Sequence, residues 1–257
     1  MTTRLALLLE YDGTAYVGWQ HQSGDGLAVQ DVLEGAAGNL AHGAPVPSTI
    51  AGRTDAGVHA EGQVALIELP GDWAAGKVRD ALNFHMKPHP VVVLRAALAP
   101  AAWNPRFSAI GRAYRYRILN RRPRPALLRG RVWHVDRALD AEAMHRAAQT
   151  LLGRHDFTSF RSAACQAKSP LRTLDRLDVA RHGEIVEITA EARSFLHHQV
   201  RNIVGTLTLV GEGRWPVAAV AAALAARDRA AAGPTAPPDG LCLTEVRYPQ
   251  DPFAITG

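Results

Sequence analysis

The segment Ala51-Gly52-Arg53-Thr54-Asp55-Ala56-Gly57-Val58-His59 gathers residue types that can do chemistry. Asp55 is a carboxylate set among small residues, and a glycine-rich backbone lets a bulky group come close to it. Arg53 sits near enough in the chain to hold a carboxylate ionised or to contact a phosphate. The same pattern also suits a plain turn, because glycines make turns and an aspartate supports them by accepting from nearby backbone. The segment alone leaves both readings open.

Other chemistries find little footing in the sequence. Cys165 and Cys242 are far apart and form neither a zinc pattern nor a disulfide framework, which predicts a reduced, cytoplasmic protein. His85 and His89 have helical spacing, but Pro88 breaks the turn between them. His197 and His198 are adjacent, so on a helix they would point in different directions, and no metal site is expected. No Rossmann fingerprint or P-loop occurs, and no cofactor is expected. Net charge is +5, which favours a polyanionic partner. Nearly all of that charge is arginine, beside only Lys77, Lys87 and Lys168, so GC-rich coding explains it as well. No apolar run approaches the roughly 18 residues of a membrane span. Leu5 to Leu9 reads as a strand rather than a signal segment.

Several motifs, in order, resemble those of TruA-type tRNA pseudouridine synthases. Ala51 to His59 is similar to that family's signature. Glu10-Tyr11-Asp12-Gly13-Thr14, with Tyr16, Gly18, Trp19, Gln20 and Gln22, resembles its N-terminal motif. Phe107-Ser108-Ala109 with Tyr114-Arg115-Tyr116 resembles its central strand, and Asp156-Phe157-Thr158-Ser159-Phe160-Arg161 another shared block. Phe195 to Gly205 resembles its helical motif, and Gly240-Leu241-Cys242-Leu243 its last strand. Gln199 departs from the usual methionine, Ala28 from a common capping hydroxyl and Ala113 from a common arginine.

The resemblance implies isomerisation of uridine to pseudouridine at positions 38, 39 and 40 of the tRNA anticodon arm. Asp55 is then the catalytic carboxylate. Arg201 pairs with it and fixes its rotamer. Arg53 helps extrude the target nucleotide, which must leave its stack to be reached. Tyr114 covers the flipped base and assists removal of the C5 proton. Leu243 walls the uracil pocket. The resemblance also implies a homodimer gripping one tRNA, mostly by shape and backbone charge. Two rivals stand beside this reading. One is a catalytically silent RNA-binding module of the same fold; the intact set Asp55, Arg53, Tyr114 and Arg201 argues against it. The other is an unrelated carboxylate hydrolase, which would need a second carboxylate to complete the usual acid/base pair.

The elements that must position these residues follow from periodicity. Arg4 to Tyr11 is a continuous apolar run and predicts a buried strand. Leu27 to Ala41 carries apolar residues at helical spacing. Thr49 to Gly52 and Gly62 to Leu69 predict strands around the Asp55 turn, and Asp72 to Phe84 a helix with Asp72 as N-cap. Val91 to Leu98 is a further strand. Arg112 to Ile118, Arg172 to Arg181 and Ile185 to Ala192 predict strands, and Asp140 caps a helix to Leu152. His197 to Val210 predicts a helix with Leu196, Val200, Ile203, Leu207 and Val210 as its apolar stripe; His198, Arg201, Asn202 and Gly205 lie on another face. Pro216 opens another helix, Ala230 to Asp239 is a loop and Gly240 to Tyr248 a last strand. The mixture predicts an α+β fold with mixed, mainly antiparallel sheets. The resemblance implies the pseudouridine synthase fold: two ferredoxin-like halves, residues 1–105 and 106–257, with a cleft between them.

Overall fold

The computed structural model describes residues 1–24 and 26–254. The chain forms two compact units, Met1–Gly111 with Leu243–Gly257, and Arg112–Cys242.

The first unit opens with β1 (Thr2–Tyr11), where Leu5, Ala6, Leu7 and Leu9 are all fully buried. Then come α1 (Val29–Leu40), β2 (Thr49–Ile50), β3 (His59–Pro70), α2 (Ala75–His85) and β4 (Val91–Leu98). β4 pairs with β1, β1 with β3, and β3 with β2, all antiparallel. Strand order β4-β1-β3-β2 with a helix after β1 and after β3 is a ferredoxin-like βαββαβ arrangement. α1 lays Val29, Val32, Leu33, Ala36, Ala37 and Leu40 into the core, the stripe that its spacing predicts.

The two helix starts of this unit show how tertiary contacts replace local caps. Ala28 brings no capping side chain to α1. Instead Asp31 accepts the Ala28 N–H at 2.8 Å, while the Val29 and Gln30 N–H groups donate to the carbonyls of Gly18 and Trp19 at 3.1 and 2.9 Å. For α2 the sequence predicts Asp72 as N-cap, and the structure corrects this. The helix begins at Ala75, with Ala74 in the cap position and no side-chain bond there. Thr3 Oγ1 accepts the Trp73 N–H at 3.1 Å and ties the intervening residues to β1.

The second unit holds β5 (Gly111–Asn120), β6 (Trp133–Val135), α3 (Ala141–Gln149), β7 (Gly153–Asp156), β8 (Leu171–His182), β9 (Ile185–Ala192), α4 (Gln199–Gly211) and α5 (Ala218–Ala226). β5, β9, β8 and β7 pair in that order, antiparallel, and β6 adds to β5 in parallel. β6 and β7 are too short to show a period, and the sequence prediction has neither. β9 alternates as expected, burying Val186, Ile188, Ala190 and Ala192. Asp140 caps α3 by accepting the Ala143 N–H at 2.9 Å. β10 (Leu241–Arg247) passes from the second unit into the first, whose part begins at Leu243. Among the described residues no helix is long and apolar enough to cross a membrane. The fold is α+β with mixed, mainly antiparallel sheets.

α4 differs from the amphipathic helix that its stripe suggests. Val200, Ile203, Leu207 and Val210 are buried, but so are Asn202, Gly205, Thr206 and Thr208 on the remaining surface. It is a largely buried helix in which the side chains of Asn202, Thr206 and Thr208 are absorbed by hydrogen bonds. Its start also shifts to Gln199, with His198 at the cap in a left-handed conformation (φ 61°). That turn brings the rings of His197 and His198 to 4.0 Å between centroids, where a helical path would have separated them.

Candidate active site

The Asp55 loop runs from β2 to β3 and is clamped by the residues that follow β1. Gly18 forms an antiparallel bridge with Asp55, and the Trp19 N–H donates to the Thr54 carbonyl at 3.0 Å. The Gly57 N–H donates to the Tyr16 carbonyl at 3.2 Å. The turn closes on itself through the Val58 N–H and the Asp55 carbonyl at 3.1 Å, with Gly57 at φ 77°. Underneath, the Tyr11 hydroxyl and Thr54 Oγ1 lie 2.7 Å apart, both residues buried. Gln63, fully buried, donates to the Gly52 carbonyl at 2.7 Å. Asp55 is thus carried on a backbone held from both sides rather than on a free turn.

Glycine is required at two positions of this clamp. A Cβ on Gly13 would stand 2.0 Å from the Val58 carbonyl oxygen, and one on Gly18 2.7 Å from that of Thr54. Gly13 also donates its N–H to His59 Nδ1 at 3.1 Å, tying the far end of the loop to the segment after β1. Tyr16 is buried in the same segment. Burial, and then the charge of Asp12, push its phenol pKa up, so it stays neutral.

In the second unit Tyr114 lies on β5 opposite Ala190 and is half-buried. Its ring meets that of Phe195 edge to face at 5.2 Å, a favoured aromatic geometry that defines the ring plane. Arg201 stands in the first turn of α4, half-buried, and donates from Nε to the Ala236 carbonyl at 2.8 Å. The Ala236 N–H returns a bond to the Arg201 carbonyl at 3.1 Å.

The strap that receives Arg201 is the alanine- and proline-rich stretch that the sequence reads simply as a loop. Asn202 Oδ1 accepts from Thr235 Oγ1 at 2.6 Å and from Arg229 at 3.2 Å, while Asn202 Nδ2 donates to the Phe160 carbonyl at 2.9 Å. Thr206 Oγ1 accepts the Gly233 N–H at 2.9 Å. Gly205 lies under the strap, where a Cβ would meet the Pro234 carbonyl oxygen at 1.8 Å. Tyr116, fully buried, donates its hydroxyl to the Pro237 carbonyl at 2.7 Å. Burial pushes that phenol far above its ordinary pKa, with the Arg201 charge opposing and Asp239 adding to the rise.

The expected site residues therefore fall in two groups. Arg53, exposed, and Asp55, half-buried, share the clamped loop of the first unit, where Leu243 also belongs as a fully buried residue of β10. Tyr114 and Arg201 belong to the second unit. The sequence assigned no role to Gln63, Tyr116, Asn202, Arg229 or Thr235. Asn202 carried a signal in the sequence as an amide beside the apolar stripe of α4.

Comparison with known proteins completes the picture. A family model described as tRNA pseudouridine synthase matches residues 147–249. The tRNA pseudouridine synthase A of Acidiphilium cryptum is 71% identical over 251 residues, spanning 97% of this chain and 98% of its own. That of Gluconobacter oxydans is 56% identical over 252 residues, 97% and 91% of the two chains. That of Rhodospirillum centenum is 60% identical over 245 residues, 95% and 99% of the two chains. Similarity at this level spans nearly the whole chain, both units included, and on that ground the chain belongs to the tRNA pseudouridine synthase A family.

Proposed function

We propose that this protein isomerises uridine to pseudouridine in tRNA, with Asp55 as the catalytic carboxylate. The observation that carries the reading is a carboxylate on a backbone clamped by Gly13, Gly18 and Gln63, in a chain of this family. In the reaction the N1–C1′ bond of uridine breaks, the base turns, and C5 joins C1′. C5 loses its proton and N1 ends protonated, so atoms and electrons balance within the substrate. Preorganisation of the carboxylate is the natural use of a rigid loop, because reorganisation during the reaction would raise the barrier.

Tyr114, Arg53, Arg201 and Leu243 are assigned to substrate binding. The Tyr114 ring, set edge-on by Phe195, offers a face for the flipped uracil, and its hydroxyl suits removal of the C5 proton. Arg53, exposed on the loop, suits the phosphate of the extruded nucleotide or the space it leaves. Leu243 supplies apolar wall. In this division of labour the first unit brings the carboxylate loop and Leu243, and the second unit the tyrosine strand and α4. The substrates are uridines 38, 39 and 40 of the anticodon arm, and the enzyme works as a cytoplasmic homodimer without a cofactor.

The test is release of tritium from tRNA labelled at uridine C5. Wild-type protein should release label. Asp55→Asn and Asp55→Ala should release none while keeping nearly full tRNA affinity, because phosphate contacts supply most of the binding. Turnover within tenfold of wild type in either variant removes Asp55 from the catalytic role. Label retained by the wild type itself favours the silent RNA-binding module.

A further inference from the structure

A second basic feature lies on the other unit, outside the residues used above. Arg154 on β7, Arg172 on β8 and Arg193, just past β9, line one pocket of about 340 Å³ together with Ser169, Thr173 and Ser194; Leu171 is the apolar member. The pairing of β7 with β8 sets Arg154 opposite Thr173, so a guanidinium and a hydroxyl stand side by side at its edge.

Three guanidinium groups repel one another unless something negative lies among them. Among the described residues no carboxylate comes within ion-pair distance of any of the three. Arg172 is the most committed. Its Nη1 donates to the carbonyls of Ser169 and Leu171 at 3.0 and 2.6 Å, which aims the head group. Its Nε is buried and makes no hydrogen bond among the described residues. Burial lowers its pKa, the expected response of a cation taken from water without a counter-ion. A half-buried cation with a bare donor, two flanking exposed arginines and three hydroxyls is matched chemically by a tetrahedral oxyanion, whose several oxygens can take the forked donors of arginine.

We infer that this pocket is a backbone-phosphate subsite of the same RNA substrate. The inference rests on the tRNA reading above. Its position favours RNA over a free anion. β9 ends beside the pocket at Arg193 and Ser194, and the next residue, Phe195, is the one whose ring packs against Tyr114. The chain that lines the phosphate pocket therefore also sets the ring proposed to cover the target base. A strand of RNA delivering a uridine to Tyr114 necessarily brings neighbouring phosphodiesters with it. The subsite acts on binding and placement; it takes no part in bond making.

Arg154 and Arg193 are exposed, so Arg154→Gln and Arg193→Gln can be made singly and together without disturbing the core. Binding of a tRNA transcript is measured between about 50 and 200 mM salt, together with single-turnover tritium release at saturating RNA. Each single variant should raise Kd about three- to tenfold. The double variant should flatten the slope of log Kd against log salt by about 0.7–0.9 for each phosphate no longer neutralised, with the single-turnover rate within twofold of wild type. Inorganic phosphate at matched ionic strength should weaken wild-type binding more than binding by the double variant. A double variant with wild-type Kd and slope overturns the inference, as does a pocket that takes phosphate without any change in RNA affinity. Affinity is read independently of turnover. Wild-type label release beside unaltered binding by the variants therefore refutes the subsite alone. A wild type that binds tRNA but releases no label refutes the enzymatic reading and leaves the subsite to be decided by the slopes.

Discussion

Gly13→Ala tests whether catalysis depends on the clamp around Asp55. The added Cβ would stand 2.0 Å from the Val58 oxygen and 2.5 Å from its carbon, both backbone atoms that no rotamer change can move. Cβ contacts essentially never fall below 3.0 Å, so the gap must open by about 1 Å (3.0 − 2.0). Val58 closes the turn that carries Asp55, and Gly13 holds His59 through its N–H, so the shift passes directly into the loop. A misplacement of about 1 Å in a catalytic group costs on the order of 100-fold, close to 2.7 kcal/mol of barrier. Overpacking should also lower stability by about 1–3 kcal/mol. The assay is single-turnover tritium release at saturating tRNA, with tRNA affinity and thermal melting measured in parallel. The expected result is a loss of about two orders of magnitude in rate, a nearly unchanged Kd and a folded protein. Gly35→Ala in α1 is the matched control. It has open space around the new methyl and should keep full activity while gaining about 0.5–1 kcal/mol. A Gly13→Ala protein that turns over within threefold of wild type would refute the claim that the clamp sets the position of Asp55.

Other variants probe the second unit. Arg201→Ala should lower kcat far more than tRNA affinity, and a loss confined to KM would mark Arg201 as an RNA contact instead. Tyr116→Phe leaves the Pro237 carbonyl without its donor and should cost about 1–3 kcal/mol at neutral pH. The raised phenol pKa of the folded state means that this contribution is complete below the unfolded value of about 10 and is lost as pH rises towards the folded value, so denaturant titrations should show an alkaline decline that is smaller in the phenylalanine variant. Asp156 accepts both the Thr158 hydroxyl (2.6 Å) and its N–H (2.9 Å), bonds that hold its pKa below the ordinary value, with Arg227 and Arg161 adding to the effect against some burial. Asp156→Ala should therefore cost about 1–2 kcal/mol at neutral pH. The gap between it and wild type should narrow as pH falls from about 4 through the depressed folded value, and a gap independent of pH would show that the carboxylate charge is not what matters.

Much of the fold was legible because its cause is local. The alternation of β9 and the helical stripe of α1 each state a period that burial follows, and the unbroken apolar run of β1 states burial on both faces. Asp140 was readable as a cap because a cap bonds only a few residues ahead. Asp72 carried the same signal and failed, because Thr3, distant in sequence, takes the Trp73 N–H and the helix begins later. β6 and β7 were invisible because short segments acquire strand geometry from the partner they pair with. Likewise nothing local told that the remaining surface of α4 is buried; its cover is a stretch of alanine and proline whose side chains announce no contact.

The residue types at the site belong to the sequence alone. Asp55 among small residues and glycines is legible as a candidate from the residues themselves, whereas Tyr114 and Arg201 are named only through the resemblance to a family. What holds those residues is a tertiary matter. Gly13 and Gly18 matter because two segments far apart in the chain press backbone against backbone, and a sequence records the missing Cβ without saying what fills its place. The strap over α4, the burial of Tyr116 and the convergence of Arg154, Arg172 and Arg193 likewise exist only once the chain has turned back on itself. Hydrogen bonds and charge neighbours depend on distances in space, and those are set only when the sheets and helices have packed.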